Sequence, residues 1–217
     1  MLGPVSEHVN RRYVAPKRAA AAAQTRRRIL TAAHDLFVAH GWDGTAIAEV
    51  ARRAGVSVDT VYASIGRKPV LIRQLIDDLL GEGRGPVPAE QRGYVVDVRA
   101  APTAEDKIAT YATALGHLMP KVAPLLLTLR DAGATDRDCA QAWREITERR
   151  ARNMLLFAAD LRQTGRLRLD LPDQIVADLV WTTNSPEYYT LLRSRDWSDR
   201  DYAEHLSDLW CRLLLAP

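Results

Sequence analysis

Between Gly55 and Lys68 the chain reads GVSVDTVYASIGRK, and four hydroxyl side chains, Ser57, Thr60, Tyr62 and Ser64, stand within it. Hydroxyls donate and accept hydrogen bonds, so the segment suits recognition of phosphate or of polar edges. It does not suit bond-making, which needs a nucleophile beside a base or paired carboxylates in a cleft. The chain has no G-x-S-x-G, no glycine-rich phosphate loop and no HExxH, so no enzyme activity, catalytic residue or cofactor is expected. His34, His40, His117 and His205 are scattered, and Cys139 and Cys211 have no partner at ligand spacing. No metal site and no disulfide framework follow.

The composition bounds the rest. With 217 residues, 47% hydrophobic and 26% charged, the chain suits a globular protein with a sizeable core. No uninterrupted apolar run long enough to span a bilayer and no hydrophobic signal core is evident, and the two cysteines fit a reducing compartment. A cytoplasmic protein without a membrane segment is expected. Residues 1–28 hold seven basic groups against one acid, a net of +6, which leaves −3 for the remainder of a chain totalling +3. A basic arm on a mildly acidic body points to a polyanion near the N-terminus, or else to a solvated tail.

The elements that must position the hydroxyls are helices. Ile29, Ala33, Leu36, Phe37 and His40 share one face of a helix that begins near Thr25 and ends at Gly41. Thr45 is a good N-cap for a second helix with Ile47, Val50, Ala51 and Ala54 inward. Gly55 stops it, and Ser57 caps a third helix whose buried pair is Val61 and Ile65. A fourth runs from about Lys68 to Leu80. Residues 81–102, rich in Gly and Pro, read as a linker with a helical turn near Tyr94–Val98. Helices resume at about 104–120, 123–132, 136–163, 173–184, 186–195 and 199–215. The only alternating stretch is LRLDL at 167–171. The chain is therefore expected to be all-α. Residues 1–24 form a disordered basic arm, 25–80 a three-helix head with the fourth helix as connector, and 103–217 a larger helical domain.

Two short helices joined at a glycine and braced by a third make a helix-turn-helix. Its second helix is short because it is offered to the DNA major groove. Val58, Asp59, Thr60, Tyr62, Ala63 and Ser64 are then free for outward contacts. Taken in order, residues 25–76 (TRRRILTAAHDLFVAHGWDGTAIAEVARRAGVSVDTVYASIGRKPVLIRQLI) resemble the N-terminal domain of TetR-family transcriptional regulators. The matching features are LFVAHGW, the Thr45 cap, IAEVARRAGVS, the Thr-x-Tyr at 60 and 62, and Lys68 at the next helix start.

The resemblance implies that Thr45 and its helix start bind phosphate, as helix N-termini do. It implies that Thr60 and Tyr62 meet phosphate or base edges and that Lys68 meets phosphate. The departures matter as much. Val58 stands where a Lys or Arg is common, Asp59 where a small residue is, Ala63 and Ser64 where larger polar residues are, and Ile65 where Phe is. Base reading then leans on Thr60, Ser64 and apolar contacts of Val58 or Ala63 to thymine methyls. Arg52, Arg53 and the arm would supply charge. Asp59 either accepts from cytosine N4 or merely stabilises the helix dipole.

In the family the second domain binds small molecules and dimerises. Here the helix at 136–163 sets Arg150 in a stripe with Trp143 and Phe157, with Asn153 beside it. A buried arginine needs a partner, either an acid or a ligand's polar end. Tyr111, Leu115, Met119, Trp181 and Tyr188 could add walls around a small apolar effector, or could be core. The terminal stripe Tyr202, Leu206, Leu209, Trp210 and Leu213 asks for cover by a homodimer bundle. The resemblance thus implies a ligand-responsive repressor bound as a dimer to a palindromic double-stranded operator. The other reading is a helical ligand-binding or scaffold protein whose cation-poor head no longer binds DNA.

Overall fold

The computed structural model describes residues 10–217, with side chains from residue 18; the start of the expected arm lies outside the described residues. Ten α-helices follow: α1 Asn10–His40, α2 Ile47–Ala54, α3 Val58–Ser64, α4 Lys68–Leu80, α5 Gly93–Ala100, α6 Ala104–Ala132, α7 Arg137–Gln163, α8 Asp173–Thr183, α9 Pro186–Arg193 and α10 Asp199–Leu214. The all-α reading holds. The LRLDL stretch forms only an isolated bridge, Leu167 to Leu215. α1 begins at Asn10, well before Thr25, because the exposed alanines at 19–23 are the best helix formers and extend it. His40, read as inward, is exposed at the helix's last residue.

The chain divides into two compact units within α4, the first ending at Leu71 and the second running Ile72–Pro217. In the first, Ile29, Leu36 and Phe37 of α1 are buried together with Val50, Ala51 and Ala54 of α2 and Val61 of α3. Ala51 is 2% exposed, and its small side chain lets the helices approach.

In the second unit α6 is the central helix, packed against α5, α7, α9 and α10, while α7 also packs on α8. The sequence pattern suggests a break near residue 120, yet α6 runs unbroken through Pro120 and Pro124. Each proline removes a backbone hydrogen bond and costs about 3 kcal/mol. Met119, Val122, Ala123, Leu125, Leu126 and Leu129 are all buried around them. At roughly 1.5–3 kcal/mol for each large apolar side chain, that burial outweighs both prolines. By length and composition α6 could cross a membrane. Its apolar residues, however, form the core of this unit with Phe157, Leu161, Leu206 and Trp210. The expected linker at 81–102 contains a 3₁₀ turn at Ala89–Gln91 and α5, so its helical part is longer than one turn.

The caps are local and mostly as read. Thr103 accepts from the Asp106 N–H, Asp136 from Asp138 and Cys139, and Ser185 from Tyr188. Ser198 and Asp201 cap α10 reciprocally.

Candidate nucleic-acid interface and effector site

The turn that sets α3 depends on Gly55. Its φ is +65°, and beside it the Val56 N–H closes on the Ala51 carbonyl at 3.0 Å. A side chain at that φ is strained, which is why glycine stands there. Ser57 follows in extended conformation, and its Oγ accepts from the Thr60 N–H at 3.1 Å. The Ser57 and Thr60 hydroxyls also bond each other at 2.8 Å, so between them one hydroxyl hydrogen stays inside the cap.

Val61 and Ile65 of this short helix segment point inward, as the pattern implied. Val58, Asp59, Tyr62 and Ala63 are exposed, and Thr60 and Ser64 are half-buried. Tyr62 is 48% exposed. The outward face of α3 is therefore apolar and hydroxylic, and it holds one carboxylate and no cation.

Thr45 is not the cap of α2. That position belongs to Ala46, with no side-chain cap. Thr45 is 1% exposed, and its hydroxyl donates to the Gly41 carbonyl at 2.8 Å. The carbonyls at the end of α1 lack helical partners and compete successfully for that hydroxyl. The expectation that the Thr45 side chain meets phosphate therefore fails, while the helix start behind it remains open at the Ile47 and Ala48 N–H groups.

Lys68 reaches back across the chain. Its ammonium donates to the Trp42 carbonyl and lies 4.3 Å from the centroid of the Trp42 ring. The same carbonyl accepts from the Thr45 N–H at 3.2 Å. The structure thus brings Lys68 to the residues that lead directly into the open N-terminus of α2. Trp42, which stacks on Phe37, is a neighbour of Lys68 that sequence reasoning did not single out.

A second omission is Glu49. Arg52 grips it with Nε at 2.7 Å and Nη2 at 2.6 Å, and Arg53 Nε adds a bond at 3.1 Å. The Arg52 hydrogen bond, with help from Arg53, holds the Glu49 carboxyl down at about 2. Both arginines expected to supply charge are shared with an acid. The i,i+3 and i,i+4 spacing of EVARR was the signal that announced it.

In the second unit, the residues read as effector walls are mostly core. Tyr111, Leu115, Met119 and Phe157 belong to the buried cluster, with Trp181 and Tyr188 packed against it; Trp143 and Asn153 are half-buried. Tyr111 stacks on Tyr94 and Trp210 and meets Phe157 edge-on at 5.1 Å. Among the described residues Arg150 forms no ion pair with an acid, the first of its two expected partners. Its Nη2 donates to the Trp181 carbonyl at 2.9 Å and to Asn184 Oδ1 at 2.7 Å. A groove of about 920 Å³ lies elsewhere, lined among others by Leu79, Leu80, Tyr94, His117, Leu118 and Lys121, and it shares none of the nine expected wall residues. The reason is the shape of α6. Its outer face at 109–121 is left uncovered beside α5, whereas its inner face is filled by α7 and α10.

Known proteins share this arrangement. Residues 29–72 match the family described as bacterial regulatory proteins, tetR family. Over 185 residues the chain is 28% identical to the HTH-type transcriptional regulator YdeS of Bacillus subtilis, covering 84% of this chain and 85% of that one. Among solved structures, NalD, the secondary repressor of the MexAB-OprM multidrug efflux pump in Pseudomonas aeruginosa, superposes with a TM-score of 0.67 at 19% identity, covering 90% of this chain and 98% of NalD. FadR of Bacillus subtilis, solved with stearoyl-CoA, superposes with a TM-score of 0.68 at 17% identity, covering 85% and 96%. Residues 29–72, which hold the helix-turn-helix around Gly55, are thus similar to the tetR-family domain, and the chain as a whole shares the fold of these solved regulators.

Proposed function

We propose that this protein is a ligand-responsive repressor that binds a near-palindromic operator as a homodimer in the cytoplasm. The observation that carries the reading is the pairing of an exposed α3 face with the open start of α2, beside which Lys68 is anchored. In this reading residues 25–80 form the DNA-binding head and 103–217 the effector and dimer domain. Two heads one helical turn apart read two half-sites. Phosphate is held by the Ile47 and Ala48 N–H groups, by Lys68 and by Tyr62. Thr60, Ser64, Val58 and Ala63 face base edges, and Ser57 orders Thr60 for that work.

The dimer forms through α8 and α10. Tyr202, Leu206 and Trp210 are wholly buried within their own chain, so the half-buried Leu209 and Leu213, with exposed Ile175 of α8, face the second copy. NalD is a repressor and FadR was solved with an acyl-CoA; both precedents favour repression relieved by a small molecule. Relief requires that the ligand bind better to a conformer whose heads no longer fit the operator.

A second reading has one specific support: α3 lacks a cation, and Glu49 engages both Arg52 and Arg53. The head would then bind no DNA. Selection of genomic fragments with purified protein separates the two. Enrichment of a palindrome upstream of a gene, bound by a particle of dimer mass, supports the repressor. Failure to enrich any fragment at low salt refutes it.

A further inference from the structure

Arg150 is the buried group that the fold leaves least accounted for. A guanidinium carries five N–H donors. Both of its bonds here come from Nη2, one to the Trp181 carbonyl in the last turn of α8 and one to Asn184 Oδ1. Asn184 is in turn fixed by donating to the Tyr111 hydroxyl at 3.0 Å and to Met154 Sδ at 3.0 Å. The network therefore orients the guanidinium and leaves its Nε and Nη1 hydrogens unspent.

No carboxylate lies within ion-pair distance of Arg150 among the described residues. The acid whose charge it feels most is Glu187, and that carboxylate is engaged by Arg130 at 2.9 Å. Burial pushes the Arg150 guanidinium pKa down, as it does for a cation without a counter-charge. Two further donors nearby are buried without an acceptor: the Trp181 indole N–H and the Tyr202 hydroxyl. The Arg150 guanidinium lies 5.3 Å from the centroid of the Trp181 ring, and Tyr202 is within its electrostatic reach. Orphaned buried donors are rare in native proteins and call for an absent acceptor. Here they gather around one uncompensated positive charge that lies against the Trp181 ring. Arg150, Trp181 and Tyr188 are half-buried, whereas Tyr202 is wholly buried.

The geometry points to Arg150, Tyr202 and Trp181 as an anion-binding cluster that takes the carboxylate of a small apolar acid. This rests on the ligand-responsive reading and names the chemical class of its effector. The carboxylate accepts from the free guanidinium hydrogens and supplies the missing counter-charge, while the apolar body lies on the Trp181 ring. A neutral molecule of the same shape leaves the charge unanswered.

The test uses the full chain and two pairs of probes, octanoate with octanamide and 2-naphthoate with 2-naphthamide, titrated by calorimetry. At least one acid is expected to bind once per chain, and at least about tenfold tighter than its own amide, as loss of a charge-assisted hydrogen bond implies. In Arg150→Met, acid affinity should fall to the amide level while amide affinity holds. Tyr202→Phe, which removes only the hydroxyl, should weaken the acid severalfold, and it carries the test if Arg150→Met does not fold. Neither acid binding, acids and amides binding alike, or both variants retaining wild-type preference would overturn the inference. Operator affinity is measured separately with the same probes. An acid that binds at Arg150 without changing operator affinity leaves the carboxylate cluster standing and overturns ligand-responsive repression. Operator release by a ligand indifferent to Arg150→Met does the reverse.

Discussion

Replacing Glu49 with glutamine should strengthen DNA binding and make it more salt-dependent. In the free protein Arg52 is held by Glu49 through two short bonds and Arg53 through one. Both arginines are on the surface, Arg52 with 72% of its side chain exposed. A neutral amide in place of the Glu49 carboxylate cannot hold two guanidinium groups, so at least one arginine is freed to meet phosphate. Each new phosphate contact steepens the log-log salt dependence by about 0.9. A dimer on its operator carries two heads, so one freed arginine per head adds about 1.8 to the slope and two add about 3.6. Going from 200 to 50 mM salt is a fourfold change, and a slope change of about 1.8 makes the gain in affinity roughly tenfold larger than in wild type. Lowering pH cannot imitate the substitution within a workable range, because the carboxyl titrates only near 2. The assay is fluorescence anisotropy on the selected operator at four salt concentrations, with circular dichroism to confirm an intact head. An unchanged slope with an intact fold would refute the placement of Arg52 and Arg53 beside phosphate.

Four further outcomes are expected. Lys68→Met should weaken cognate and altered operators alike and flatten the salt slope by about 1.8 per dimer, while also lowering stability by about 1–2 kcal/mol through loss of the Trp42 contacts; anisotropy and urea denaturation report the two effects. Thr45→Val keeps shape but loses the 2.8 Å bond to Gly41; it should cost about 1 kcal/mol in urea denaturation and leave the salt slope untouched. Changes at Ala63 or Ser64 should alter which single-base operator variants bind best, each wild-type mismatch costing roughly 1–3 kcal/mol, with the salt slope constant. Trp210→Ala empties a wholly buried site and removes the 2.8 Å bond to Thr183; it should cost about 3–5 kcal/mol, seen in denaturation of the second unit.

The head was legible because its signals are local. A positive φ at Gly41 and Gly55, a serine cap at Ser57 and the inward Val61 and Ile65 follow from neighbours a few residues away. Thr45 shows where local reading stops. Its type suits a cap and equally suits a bond to a carbonyl one turn back, and the path of the chain leaving α1 decided for the Gly41 oxygen. Lys68 has the same lesson at longer range: its anchor, Trp42, lies 26 positions away in sequence.

Hydrophobic periodicity, caps and glycine positions by themselves determined that the chain is all-helical, where most helices begin and end, and which face of α3 points outward. These depend on backbone preferences and on spacing, both written in the order of residues. Tertiary structure alone decided that α6 passes unbroken through two prolines, because burial on both sides outweighs the lost hydrogen bonds. It alone decided that Tyr111, Leu115, Met119 and Phe157 are core, since an aromatic stripe has the same spacing whether a helix or a ligand covers it. And it alone left Arg150 against the end of α8 without an acid, because which charges meet across a core depends on how helices distant in sequence pack, not on their order along the chain.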